Sequence, residues 1–186
     1  GRPTRLNLCL AWQFSRGGDA DEGQEEAAVN DVKRTPAAEE LAWAAGLFDG
    51  EGTVLISRQD QIFPQGHPGQ GRHTYYTLNA TMWNTHRLAL LRFQSWFGGN
   101  LYGGERGKLR ADYKPIWRWR TSARTAAEFL RAVRPYLVIK AAEADVGLRF
   151  QTLIRVHKLP RLSTDELAER EGLRRALITH RKGKVA

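Results

Sequence analysis

The sequence contains one cysteine, Cys9, so it can hold neither an internal disulfide nor a zinc site built from thiolates. No apolar run approaches the roughly 20 residues that span a bilayer, and no membrane partner is expected. The five histidines, His67, His73, His86, His157 and His180, show no metal-ligand spacing. Neither a P-loop nor a dinucleotide fingerprint is present. With cysteine this scarce, a reducing intracellular compartment is the consistent one. It would be cytoplasmic in a bacterium, and organellar or nuclear in a eukaryote.

What the chain has in excess is positive charge. Its 186 residues carry a formal net charge of +9, with a pI near 10.1, which points to a polyanionic partner. The length suits one domain with a proper core. Residues 1–36 hold five bases and six acids, a net of −1. Residues 37–186 hold the other 24 bases and 14 acids, a net of +10. Residues 1–35 therefore read as a partly flexible N-terminal extension, linker-like from Gly17 to Asn30. Residues 36–186 read as the domain, with a basic C-terminal helix or tail. The chain begins at Gly1 rather than Met, as a fragment or processed product would.

The organising stretch is residues 37–53. Thr35 suits an N-cap and Pro36 a first helical position, while Glu39 and Glu40 lie at the positive end of the helix dipole. From Leu41 to Phe48 the residues are small or apolar nearly all round, which predicts a helix buried on several sides. Gly46 in mid-helix costs about 1 kcal/mol against Ala unless close backbone approach requires it. The run ends in Asp49-Gly50-Glu51-Gly52, two carboxylates at the negative end of the dipole. A plain cap would favour Lys or Arg there. A divalent cation reverses that argument, because Mg²⁺ takes carboxylate and carbonyl oxygens. An acidic turn leading into a strand is the other reading.

Further along, Thr53–Gln59 has strand composition. Gln61–His73 carries Pro64, Gly66, Pro68, Gly69 and Gly71 and predicts a long loop. His73–Trp83 alternates, with Tyr76, Leu78, Ala80 and Met82 on a core face and Tyr75, Thr77, Asn79 and Thr81 opposite. The first strand alternates less cleanly, and a slip of one residue would exchange its faces. Asn84 is a candidate N-cap for a helix carrying Leu88, Leu91, Phe93, Trp96 and Phe97, stopped by Gly98-Gly99. Asn100–Glu105 reads as a glycine-rich strand and Gly107–Lys114 as a turn. In the strand Pro115–Arg120, Trp117 and Trp119 oppose Ile116, Arg118 and Arg120. Ser122 would cap a helix reaching Arg134, which Pro135 ends. Tyr136–Lys158 supports another helix, and Ser163-Thr-Asp-Glu166 is a capping box for a last one. The basic end of that helix (Arg174, Arg175, Arg181, Lys182, Lys184) reads as solvated, for non-specific phosphate contact.

Ala45-Gly46-Leu47-Phe48-Asp49-Gly50-Glu51-Gly52 resembles the signature of the LAGLIDADG homing endonucleases from its second position to its last. Phe48 stands for Ile, Gly50 for Ala and Glu51 for the second Asp. The element order over residues 36–160 is similar to the α-β-β-α-β-β-α order of one such domain. The resemblance implies an α+β fold with a four-stranded antiparallel sheet, here with additional C-terminal helices. In the family the signature helix packs on its counterpart, so Trp43, Gly46 and Leu47 would lie at that contact. No second signature is present and the chain is too short for two such domains, which implies a homodimer. Glu51 matches the metal-binding catalytic carboxylate and the Gly50 carbonyl a second ligand, whereas Asp49 matches a more structural acid. The implied cofactor is Mg²⁺ or another divalent cation such as Mn²⁺.

Pro135-Tyr-Leu-Val-Ile-Lys140 resembles the segment bearing the family's catalytic-pocket lysine, which makes Lys140 a candidate. A surface lysine on an amphipathic helix is the alternative. Asn84 falls near the water-positioning polar residue, with Trp83 as the neighbouring alternative and a helix cap as the other reading. Arg87 is a further basic-pocket candidate.

An antiparallel sheet with helices on one face leaves the other open. Ser57, Gln59, Tyr75, Thr77, Asn79, Arg118 and Arg120 are its candidate DNA-binding residues. Strands can lie in the major groove, where Arg suits guanine and Asn or Gln suits adenine. A solvated face backed by tryptophans is the alternative for Arg118 and Arg120. The expectation is a homodimeric, metal-dependent endonuclease cutting double-stranded DNA at a long pseudo-palindromic site. A non-cleaving nucleic-acid-binding relative, or an intron RNA maturase, is the alternative.

Overall fold

Alternating apolar residues decide which side of each strand meets the helices. Val54 and Ile56, Leu78, Ala80 and Met82, and Trp119 are all buried on one side of a single sheet. The computed structural model describes residues 35–67, 70–104, 114–154 and 162–183. In chain order the elements are α1 (Ala38–Glu51), β1 (Gly52–Phe63), β2 (Gly71–Asn84), α2 (Arg87–Phe97), β3 (Asn100–Gly103) and β4 (Trp117–Ser122). Then come α3 (Ala123–Val133), a 3₁₀ turn (Arg134–Tyr136), α4 (Ala141–Thr152) and α5 (Thr164–Gly183). The sheet order is β1-β2-β4-β3, antiparallel throughout. This is the α+β architecture expected from the sequence, additional C-terminal helices included.

Pairing also settles the faces of β1. Ser57 lies opposite Thr77 and Val54 opposite Ala80, so the row Leu55, Ser57, Gln59 is the outer one. The core beneath the other face is aromatic. Phe129 of α3 packs edge-on against Phe48 at 4.9 Å, Phe97 at 4.8 Å and Trp119 at 5.0 Å. Burying a phenylalanine of this kind contributes about 2–3 kcal/mol. The Trp119 indole N–H donates to the Gly98 carbonyl at 2.8 Å, so this buried ring leaves no polar atom unsatisfied.

Several element ends differ from the sequence reading, each for a local reason. Helix α1 starts two residues late: Ala37, not Thr35, is the N-cap, and the Glu40 carboxylate accepts the Ala37 N–H at 2.9 Å. Strands β1 and β2 continue pairing out to Phe63 and Gly71, so both ends of the expected 61–73 loop lie in strands. Phe63 stacks on His67 there at 4.6 Å. Asn84 does not cap α2. Its side-chain oxygen accepts the His86 N–H at 2.8 Å, a local turn placed before the N-cap, His86. Ser122 is the N-cap of α3, but its hydroxyl makes no capping bond.

The helix expected from Tyr136 starts instead at Ala141, because residues 138–140 are held in another arrangement described below. The Ser163 box forms as read: Glu166 accepts the Ser163 N–H at 2.9 Å and donates its own N–H to the hydroxyl at 3.2 Å. Helix α5 packs on the fold along one side, while Arg175 and Arg181 stay exposed, as the solvated reading expects. Leu173 and Leu177 are buried, and the Tyr76 hydroxyl donates to Glu171 at 3.0 Å. Burial and the Glu171 carboxylate hold the Tyr76 pKa above its ordinary value. Glu171 also pairs with Arg174 and Arg175. Residues 1–34, the 107–113 part of the expected turn, and His157, Lys158 and Lys184 lie outside the described residues.

Candidate active site and nucleic-acid interface

Helix α1 delivers its two acids to different environments. Asp49 is 8 % exposed, and its carboxylate accepts the N–H groups of Val138 at 2.7 Å, Ile139 at 3.1 Å and Lys140 at 2.8 Å. Lys140 is the N-cap of α4 and Val138 and Ile139 immediately precede it, and the helix dipole there favours an anion. Burial pushes the Asp49 carboxyl up, but the three amides and the Lys140 charge outweigh it, and its pKa lies below the ordinary value. Lys140 returns the contact, its ammonium donating to the Asp49 carbonyl. The alternative reading of Lys140, a surface lysine on an amphipathic helix, is therefore not what the fold provides. The lysine is half-buried against the end of α1.

Glu51 and Gly50 are exposed. The α1 ladder closes with the Gly52 N–H on the Phe48 carbonyl, so the carbonyls of Asp49, Gly50 and Glu51 fall beyond it. Gly52 is required at this turn: a Cβ there would collide with the ring and carbonyl of Phe48. Gly52 pairs with Met82, which sets Trp83 and Asn84 beside the α1 end. Arg87 follows at the start of α2, its guanidinium 4.9 Å over the ring of Trp117, and Trp117 pairs with Asn84. Glu51, Gly50, Lys140, Asn84 and Arg87 thus gather at one end of the sheet.

A carboxylate beside an open carbonyl is the donor chemistry of a hard divalent cation. No group of three His, Cys, Asp or Glu side chains assembles among the described residues. The residues fit a site to which one chain gives Glu51 and the Gly50 carbonyl, with further oxygens supplied from outside it.

The seven candidate outer-face residues do share one face of the sheet. Gln59 and Tyr75 are exposed and opposite each other. Asn79 is not exposed at all; its side chain is committed to Ser57, Thr77 and Arg120. Arg118 sits between two rings, its guanidinium 5.0 Å from Trp83 and 5.0 Å from Tyr102. The ring pair was not singled out from sequence, because the row Trp83–Arg118–Tyr102 exists only once three strands are in register.

One side of α1 stays open. Ala42, Trp43, Gly46 and Gly50 are exposed and Leu47 half-buried. A Cβ at Gly46 or Gly50 would meet nothing within 4 Å. Trp43 is 40 % exposed, although it also touches α2 through Phe93 at 6.0 Å and Trp96 at 5.9 Å. No helix among the described residues is long and apolar enough to cross a membrane.

No family model matches the sequence, and no curated protein matches it either. Solved structures do. A homing endonuclease, I-CvuI, in complex with the I-CreI target in the presence of Mg, its DNA not cleaved, is 20 % identical with a TM-score of 0.56, covering 76 % of this chain and 82 % of that one. The archaeal intron-encoded homing endonuclease I-Vdi141I, complexed with DNA, is 11 % identical with a TM-score of 0.54 over 76 % and 84 %. The homing endonuclease I-TnaI is 12 % identical with a TM-score of 0.50 over 81 % and 99 %.

Proposed function

We propose that this chain, which has the LAGLIDADG homing-endonuclease fold, is a metal-dependent endonuclease that cuts both strands of a long, pseudo-palindromic duplex as a homodimer. The observation that carries this reading is the split at the end of α1, with Asp49 withdrawn into the fold and Glu51 and Gly50 left outward. An exposed carboxylate at the negative end of a helix is unfavourable to the helix itself. Glu51 and the Gly50 carbonyl would hold Mg²⁺ or another divalent cation such as Mn²⁺. Such a cation supplies water polarisation and offsets charge on the phosphate and leaving oxygen.

The chain's own groups do the rest. Lys140, tied to the Asp49 carbonyl, brings a cation to the rim of this site. Arg87 and the Asn84 amide lie at the same sheet end as further polar partners. The outer sheet face with Gln59, Tyr75, Thr77, Arg118 and Arg120 binds the duplex, as the DNA complexes of structural neighbours support. Two-fold pairing through the open side of α1 would bring two Glu51 residues together, one for each DNA strand.

The test is cleavage of a randomised duplex library with Mg²⁺ and with EDTA, followed by sequencing of the ends. Metal-dependent cuts at one two-fold-related sequence are expected. Duplex that is bound but never cut under Mg²⁺ would overturn the endonuclease reading.

A further inference from the structure

Asn79 is a polar side chain with no exposed surface in the middle of an otherwise accessible sheet face. A carboxamide accepts two hydrogen bonds and donates two. Here the Oδ1 atom accepts from Arg120 Nε at 3.1 Å and from Arg120 Nη2 at 2.8 Å. The Nδ2 atom donates to the Ser57 hydroxyl at 3.0 Å and to the Thr77 carbonyl at 2.8 Å. Ser57 in turn donates to that same Thr77 carbonyl at 3.3 Å. Every bond Asn79 can make is made, so it has nothing left to offer an adenine.

The same geometry defines what Arg120 has left. Its Nε–H and one Nη2–H are committed to Asn79, on one edge of the guanidinium. The Nη1 hydrogens and the second Nη2 hydrogen remain, at the far end of the plane. Two adjacent N–H groups there form the parallel fork that matches the O6 and N7 acceptors of guanine in the major groove. Arg120 itself is exposed, so that end is accessible. A side chain already fixed by its neighbours loses less freedom on binding. Arg118 is held differently, by ring faces that do not fix rotation in the guanidinium plane.

We propose that Arg120 is a specificity-determining residue that reads one guanine per half-site end-on, and that Asn79 and Ser57 are the positioning residues that aim it. The proposal rests on the duplex-binding reading of this face. The full-length protein is offered a randomised duplex library in EDTA, and bound DNA is sequenced for wild type, Arg120→Lys, Asn79→Ala and Ser57→Ala.

Wild type should show one guanine position per half-site, preferred roughly tenfold or more. Arg120→Lys keeps the charge but lacks the planar fork, and should weaken that preference alone. Asn79→Ala should weaken it by about threefold or more, with the other positions unchanged and no added effect on Arg120→Lys. Ser57→Ala should weaken it less, and it serves as the milder probe where Asn79→Ala fails to fold. An undiminished guanine preference in Arg120→Lys would overturn the proposal. So would an undiminished preference in both positioning variants. Either result leaves the duplex-binding reading intact, whereas a wild type that selects no duplex overturns both.

Discussion

The two sides of α1 are built to opposite specifications. On one side Ala44, Ala45, Phe48 and Asp49 are buried, and the acid is saturated by three amides. On the other, Ala42, Trp43, Gly46 and Gly50 are exposed, with empty space where two glycines would carry a Cβ. A helix advances about 100° per residue, so acids two positions apart diverge by about 200°. An Asp-x-Glu ending on a helix half sunk in a fold therefore gives one acid to the interior and one to the surface. The buried acid ties α1 to residues 138–140, and the outer acid faces solvent.

That contrast can be broken experimentally, starting with the largest effect. Glu51→Gln should lower cleavage at least about 100-fold while duplex affinity and the thermal midpoint stay unchanged. Cleavage at the wild-type rate would remove Glu51 from the chemistry. Asp49→Asn should do the reverse. It presents an NH₂ group to backbone donors and should cost about 2–4 kcal/mol in urea unfolding; a loss below about 0.5 kcal/mol would refute the structural role. Gly46→Leu changes only the open side. It should leave the protomer folded and weaken dimerisation roughly 10–100-fold, and an intact dimer by sedimentation would show that the helices do not meet there.

The smallest effect is in pH. The Asp49 carboxyl is depressed below its ordinary value in the fold, so its contribution is complete above about pH 4 and is lost as pH falls through the depressed native value. The gap in urea midpoint between wild type and Asp49→Asn should narrow on going from pH 7 to pH 3. A constant gap would mean that charge on Asp49 is not what binds the amides.

The fold was largely legible in the sequence because its strands and helices carry their own periodicity. Tyr76, Leu78, Ala80 and Met82 mark one face of β2, and the Ser163 box marks the start of α5. What could not be read were contacts between elements distant in the chain. Asp49 meets residues 138–140 across some 90 positions, and no local pattern announces it. Asn79 was read as a base-contacting amide from its place in the alternation. The register that brings Arg120 over it exists only in the assembled sheet, as does the ring pair around Arg118. Basic residues on α5 signalled charge but not the Glu171 and Tyr76 that engage the helix.

The clasp between Asp49 and the 138–140 segment also bears on the order of folding. It joins α1 to the residues just before α4, 89 to 91 positions away in the chain, and closing so long a loop has a high entropic cost until the intervening strands have shortened the path. The end of the molecule that carries Glu51 would then be set last, after the sheet. Slow hydrogen exchange at the amides of Val138, Ile139 and Lys140, appearing only late in a refolding pulse, is the kinetic signature of that order.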